Sequence, residues 1–258
     1  MHVFHSPAPW LSFGPELVFS PDGKLVAAGI IMTPPPCEKA PTEPYPCIRV
    51  WDLQSGHELF SLSCQSSEWV WLTFDPSGRF LCICQWEAGL ITILSVPKWE
   101  LVETTPTAFP CALALYSPEG DLLLVNEGYV TLRVFDRKTK EELWRSSGDF
   151  RGPTAFNPEG DLVISGSSAG VITVWEAKEG KTMLSFHAHR EGFLSLAFHP
   201  NGRYFATTGR NHMLKIWSVH DENLVHVLDF AQLLALENTA KPELAYFLSR
   251  VFAVSFIV

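Results

Sequence analysis

The chain has 258 residues, 47% of them hydrophobic, which is enough for a substantial core in one large domain. Its 19 Lys and Arg against 28 Asp and Glu give a formal net charge of −9, so bulk electrostatics argue against nucleic acid or an anionic membrane as partner. The first residues lack the pattern of a secretory signal, and no apolar run approaches the roughly 20 residues of a membrane helix, so we expect a cytoplasmic chain.

A turn of one sequence type recurs five times, with Pro at its second position and Gly at its fourth. In chain order the turns occupy residues 20–23, 75–78, 117–120, 157–160 and 199–202. Their prolines lie 55, 42, 40 and 42 residues apart, and a period in this range indicates a chain of small repeated units. Pro presets φ for a tight turn and Gly accepts positive φ, so we call these segments the Pro-Gly turns.

Each Pro-Gly turn separates two short apolar runs, and a third run with alternating polarity follows. In the third run apolar residues alternate with Arg, Thr or Lys, at 48–52, 91–95, 132–136, 172–176 and 214–218. This alternation is typical of a strand with one buried face, and a more polar fourth run follows it. Four strands in about 42 residues predict one four-stranded antiparallel sheet per repeat, which makes the chain all-β.

The repeats resemble those of the WD-repeat family of β-propellers, across roughly residues 15 to 230. The Trp-Asp dipeptide that names the family stands at Trp51-Asp52, and Ala188-His189 is similar to the family's Gly-His pair. The resemblance implies a propeller whose blades are the four-stranded sheets, and a hydrogen bond from His189 to an acceptor, Asn211, in its own blade. It implies structural roles for six residues: Trp51, Asp52, Trp175, Trp217, His189 and Asn211.

We predict a single propeller domain over residues 1–258, with five full blades and an incomplete sixth. The blades are expected at about 15–64, 69–105, 112–146, 152–187 and 193–229. Residues 231–249 break the period and are expected to be irregular and partly helical, and 250–258 resemble the first strand of a sixth blade. Either the ring is irregular, or the sequence is a truncated member of a longer family.

The first interval is 13 residues longer than the next, and the extra residues form a proline-rich segment, 33–46. We expect an extended surface loop with polyproline character. A partner-docking arm and a tolerated surface insertion both fit this composition, and the insertion is the simpler interpretation.

The six cysteines admit three interpretations. Cys37 and Cys47 bracket the proline-rich segment and fit a disulfide, whereas Cys82 and Cys84 share a strand face and fit half of a metal site. Because neither a secretory signal nor a second cysteine pair at zinc spacing is present, we favour reduced thiols, some of them in the core.

The histidines and the remaining motifs favour a chain without catalytic activity. Six of the nine histidines lie between residues 187 and 226, which fits a metal or acid–base site, but each occupies a different place in the repeat. A Gly-x-Ser-x-Gly match occurs at residues 166–170, but it lies in a predicted loop between two strands and not at a strand-to-helix elbow, and phosphate-loop motifs are absent from the sequence. We therefore expect no catalytic residue, no metal and no cofactor.

The resemblance places the usual contact surface on two kinds of loop. One joins the second strand of a blade to the third, and the other, the interblade loop, joins the fourth strand to the next blade. Loop residues contribute less than strand residues to the stability of the fold, so they can vary to suit a partner. Exposed aromatic and Arg residues dominate binding energy at interfaces. The candidate partner-binding residues are Trp86, Glu87, Glu127, Tyr129, Arg190, Arg210 and His212.

These observations predict a non-catalytic scaffold that presents its loops to a protein or peptide partner. One alternative is a propeller enzyme or small-ligand binder, which would need several ionisable residues on the innermost strands. Another alternative is a sensor or scaffold fragment of a longer regulatory protein. The sequence names no partner.

Overall fold

The computed structural model describes residues 11–32, 45–64, 69–190, 192–210, 213–219 and 224–229. Within these ranges the chain forms β-strands and no helix. The strands are β1 (Leu11–Phe19), β2 (Leu25–Met32), β3 (Tyr45–Asp52), β4 (Glu58–Cys64), β5 (Val70–Phe74), β6 (Phe80–Gln85), β7 (Leu90–Ser95), β8 (Leu101–Pro106), β9 (Cys111–Tyr116), β10 (Leu122–Glu127), β11 (Thr131–Asp136), β12 (Glu142–Ser147), β13 (Thr154–Phe156), β14 (Leu162–Gly166), β15 (Val171–Glu176), β16 (Thr182–His187), β17 (Phe193–Phe198), β18 (Tyr204–Gly209), β19 (Met213–Ser218) and β20 (Leu224–Asp229).

The strands form five four-stranded antiparallel sheets, each made of four consecutive strands. These are blades 1 to 5, from β1–β4 to β17–β20, so the predicted all-β propeller class is confirmed. The predicted partly helical segment 231–249 and the incomplete sixth blade at 250–258 lie outside the described residues. So do residues 33–44 of the proline-rich segment. The chain comprises two compact units, residues 1–128 and 129–258.

The Pro-Gly turns join the first two strands of every blade through the same backbone hydrogen bonds. In each turn the Gly N–H donates to the carbonyl of the first residue at 2.9–3.0 Å, and the Gly φ lies between +68° and +77°. In blades 1 to 4 a side-chain oxygen of the first residue also accepts the N–H of the residue five places later, at 2.6–3.0 Å. These first residues are all buried: Ser20, Asp75, Ser117 and Asn157.

Blade 5 begins its turn with His199 and departs from this arrangement. The imidazole Nδ1 of His199 accepts the N–H of Asn201 at 3.2 Å, inside the turn itself. The predicted ability of the first turn residue to bond the backbone therefore holds in all five blades, with a different donor in the last.

Each unit has its own apolar core between neighbouring sheets. In the first unit Val50, Leu72 and Ile83 belong to one buried cluster shared by blades 1 and 2. In the second unit Ile172 and Phe205 belong to a cluster shared by blades 4 and 5. The alternation predicted for the third strands follows from this packing, because one face of each strand meets the core.

Candidate partner-binding loops

The tryptophans that end the third strands are buried and anchor their blades. Trp51 packs against Val26 and Ala28 of β2. The indole Nε1 of Trp175 donates to Ser165 Oγ at 2.9 Å, across the β14–β15 pair. Since a buried indole N–H needs an acceptor, the Ser hydroxyl on the neighbouring strand fixes the orientation of the ring.

His189 takes part in a buried hydrogen-bond chain in blade 5. Its Nε2 lies 2.8 Å from Thr207 Oγ1, and the indole Nε1 of Trp217 donates to the same hydroxyl at 2.9 Å. His189 is only 2% exposed, so it serves the interior of the blade. Its expected acceptor, Asn211, lies outside the described residues, and the sequence reasoning missed Thr207.

Asp52 organises the turn between the third and fourth strands of blade 1. Its Oδ1 accepts the N–H of Ser55 at 2.6 Å and the Ser55 hydroxyl at 2.7 Å. These hydrogen bonds lower the pKa of Asp52, the hydroxyl bond most strongly. The carboxylate of the Trp-Asp dipeptide therefore stabilises a turn, at the opposite end of the strands from the candidate loops.

The expectation of reduced cysteines holds for three of the described cysteines and is wrong for Cys47. Cys47 is buried and disulfide-bonded, whereas Cys82, Cys84 and Cys111 are free and buried. Burial raises the pKa of the Cys84 thiol, and hydrogen bonding with Cys111 and Cys82 raises it further. Cys37, the proposed partner of Cys47, lies outside the described residues.

Three loops at one end of blade 2 are joined by backbone hydrogen bonds and carry aromatic side chains. The Trp86 N–H donates to the Trp69 carbonyl at 3.0 Å, which joins the loop after β6 to the interblade loop before β5. The Thr107 N–H donates to the Gly89 carbonyl at 2.8 Å, which joins the same loop to the interblade loop after β8. We call Trp69, residues 86–89 and residues 107–109 the aromatic loop surface.

Two large side chains of the aromatic loop surface face solvent. Trp69 is 59% exposed and Phe109 is 48% exposed. Trp86, which lies between these two residues in the sequence, is half-buried. Glu87, next to Trp86, is exposed. The Thr107 hydroxyl donates to the Phe109 carbonyl at 2.6 Å, so the loop that carries Phe109 is held by its own hydrogen bond. Trp86 and Glu87 therefore lie where we predicted, and Trp69 and Phe109 are added to them.

Glu127 does not belong to an exposed loop, contrary to our prediction. It is the last residue of β10, a strand buried at all six positions, and it is 1% exposed. Its backbone pairs with Cys111 of β9. The strand extends two polar residues past its apolar run, so the Glu127 side chain lies inside the blade, and we remove it from the binding candidates.

The candidate loops of the second unit are predominantly basic. Arg190 and Arg210 are exposed, and the Arg210 N–H donates to the Gly192 carbonyl at 3.4 Å. The ammonium of Lys215 donates to the Ala188 carbonyl at 2.6 Å. Burial and then the nearby charge of Arg190 lower the pKa of Lys215. The predicted residue His212 lies outside the described ranges.

Two further loops of the second unit are fixed by hydrogen bonds. Tyr129 is 39% exposed with φ +60°, and its carbonyl accepts the Phe150 N–H at 2.8 Å. The Asp149 carboxylate accepts the backbone N–H of Ser168 at 3.0 Å and also its hydroxyl. Burial opposes ionisation of Asp149, but the hydrogen bonds from Ser168 outweigh it and lower the pKa.

The part of the chain that the structure describes offers neither a metal site nor a membrane-spanning helix. No group of three or more His, Cys, Asp or Glu side chains in it is placed to hold a metal ion. Nor does that part of the chain contain a helix with the length and hydrophobicity to cross a membrane.

Comparison with known proteins finds a family match in one part of the chain. Residues 180–218, from the turn before β16 to the end of β19, match the family described as WD domain, G-beta repeat. This stretch contains His189, Thr207 and Trp217. The match covers one repeat of the chain, and together with the five four-stranded blades it supports a similarity of the repeats to those of WD-repeat β-propeller proteins.

Several curated proteins are similar to a large part of the chain. Cilia- and flagella-associated protein 52 of Chlamydomonas reinhardtii is 23% identical over 72% of this chain and 31% of its own length. Nuclear distribution protein nudF of Emericella nidulans is 22% identical over 68% of this chain and 35% of its own length. Serine-threonine kinase receptor-associated protein of Gallus gallus is 30% identical over 52% of this chain and 38% of its own length. The chain spans about a third of the length of these relatives.

Proposed function

We propose that this chain is a non-catalytic interaction module that binds a protein or peptide partner through the aromatic loop surface. The observation that carries the proposal is the exposure of Trp69 and Phe109 on loops fixed by backbone hydrogen bonds. Aromatic residues of this kind provide much of the binding energy at protein interfaces. The similarity to WD-repeat proteins supports a protein-interaction scaffold in general terms.

The rigidity of these loops favours binding. Ordering a mobile loop on association costs free energy, about 0.5–1.5 kcal/mol for each immobilised side chain alone. Here the loop after β6 is bonded to both of its neighbours, through Trp69 and Thr107, before any partner arrives. A smaller share of the free energy gained by burying apolar area against a partner is therefore offset by ordering of the loop.

Selection of phage-displayed random peptides on the immobilised chain tests this proposal. We expect enriched peptides whose affinity, measured by fluorescence anisotropy, falls about tenfold or more in Trp69→Ala and in Phe109→Ala. Phe19→Ala is the matched control, because Phe19 is 59% exposed in the same unit but precedes the Pro-Gly turn of blade 1. Its effect should stay below about twofold.

Two outcomes contradict the proposal. One is a selection that enriches no peptide above background, and the other is a set of peptides whose affinity is unchanged in both loop variants. Thermal unfolding of each variant checks that the fold is retained, since both substituted side chains are substantially exposed.

A further inference from the structure

The net charge of the chain comes from only one of its two units. Residues 1–128 contain 5 Lys and Arg against 14 Asp and Glu, whereas residues 129–258 contain 14 of each kind. The whole net charge of −9 therefore belongs to the first unit, which also carries the aromatic loop surface. A charge of this size attracts cationic partners and speeds their association at low salt.

The cations described in the first unit lie away from the aromatic loop surface. Lys24 and Arg79 follow Pro-Gly turns, and Lys98 lies in the turn between β7 and β8. In an antiparallel blade these two kinds of turn are at the opposite end of the strands from the loop 86–89. Arg49, on β3, is paired with Glu58 at 2.7 Å. Among the described residues, the aromatic loop surface thus combines aromatic rings and the Glu87 carboxylate without a basic side chain.

We infer that the aromatic loop surface binds a basic peptide segment whose Arg or Lys side chains stack on Trp69 and Phe109. A cation over an aromatic face is attracted by the electron-rich face of the ring, and Arg presents a flat face to it. The exposed Glu87 carboxylate adds an ion pair at the edge of the same surface. An acidic segment would meet like charge throughout the unit. This inference rests on the proposed function and specifies its partner.

Four synthetic peptides of one length and frame test the charge of the partner. They alternate Ser with Arg, Lys, Gln or Glu, and their affinities are measured by fluorescence anisotropy at low and physiological salt. We expect the Arg peptide to bind at least about tenfold more tightly than the Gln and Glu peptides, and its affinity to fall as salt rises. Equal binding of the Gln or Glu peptide would overturn the inference.

Variants of the chain locate the binding site. Phe109→Ala should weaken the Arg peptide about tenfold, and Phe19→Ala should leave its affinity unchanged. Glu87→Gln should weaken it about threefold, whereas Glu100→Gln, which removes an exposed carboxylate beyond the Lys98 turn, should have no comparable effect. Uniform binding across these variants would mean diffuse attraction to an acidic protein, and the inference would be wrong.

The phage selection separates failure of this inference from failure of the proposed function. Selected peptides that need Trp69 and Phe109 for binding but carry no positive charge would refute the inference of a basic partner. They would still support the proposed interaction function. Absence of any peptide dependent on these residues would refute both.

Discussion

At the residue scale, the first residue of the Pro-Gly turn in blades 1 to 4 links the turn to the strand that follows. Its side chain is buried and, in blades 1 to 4, accepts a backbone N–H from the start of the second strand. The sequence predicted residues able to bond the turn backbone at this position. It did not predict that the bond reaches the strand, because the partner is fixed by the way the hairpin folds.

Ser117→Ala measures the strength of this link. The Ser117 hydroxyl accepts the Leu122 N–H at 3.0 Å in a buried setting, so its removal leaves that N–H without its acceptor. We expect a loss of about 1–3 kcal/mol in the free energy of unfolding, measured by urea titration. Ser147→Ala is the control, because Ser147 is exposed at the end of β12, and it should cost no more than about 0.5 kcal/mol. Equal losses would contradict the assigned role.

Single residues also show where prediction of the binding surface failed. Glu127 follows an apolar run and was assigned to a loop, yet the strand includes it and buries it. Trp69 stands beside Val70 and Trp71 and has the sequence character of a strand residue, yet it lies before β5 and faces solvent. A shift of one or two residues at a strand end changes the exposure of a side chain completely, and sequence periodicity does not define strand ends that finely.

At the scale of elements, the blades could be predicted because each depends on local signals. The turn residues recur at fixed spacing, and the third strands alternate in polarity, so four strands per repeat follow from the sequence. Contacts between blades carry no such signal. Trp144 of β12 donates its indole N–H to the Ala177 carbonyl at 2.8 Å and stacks on Trp175 with ring centroids 5.8 Å apart. These partners lie more than 30 residues away, and the fold alone brings them together.

A pair of glycine substitutions tests this interblade contact. Gly23 and Gly180 have nearly equal φ values, +69° and +66°, so a Cβ adds similar backbone strain at both positions. A Cβ at Gly23 meets nothing within 4 Å, whereas one at Gly180 would lie 2.5 Å from the Trp144 ring. We expect Gly23→Ala to cost about 1 kcal/mol and Gly180→Ala about 1–3 kcal/mol more.

Denaturant midpoints of the two glycine variants, with their m-values, provide the comparison. A Trp144→Ala background serves as the control, because it removes the Cγ and Cδ2 atoms that lie 2.5 Å from the new methyl group. Similar midpoints for Gly23→Ala and Gly180→Ala in the unsubstituted chain would show that the ring does not restrict position 180.

At the scale of the whole molecule, the proposed function depends on how charge and exposed aromatic area are distributed between the two units. Net charge was available from the sequence and indicated that nucleic acid and anionic membranes are unfavourable partners. The confinement of the net charge to residues 1–128 can be interpreted only once the two units and their loops are known. A fold shared by many functions does not identify the partner, and the loops of this particular chain have to supply that information.

Hydrogen–deuterium exchange of the chain, alone and with a peptide obtained by selection, tests the central claim most directly. If the aromatic loop surface is the binding site, the bound peptide will slow exchange in fragments covering Trp69, residues 86–89 and residues 107–109. Exchange in the Pro-Gly turns of the same unit will be unchanged, because they lie at the other end of the strands. Protection confined to those turns, or to residues 129–258, would contradict the claim.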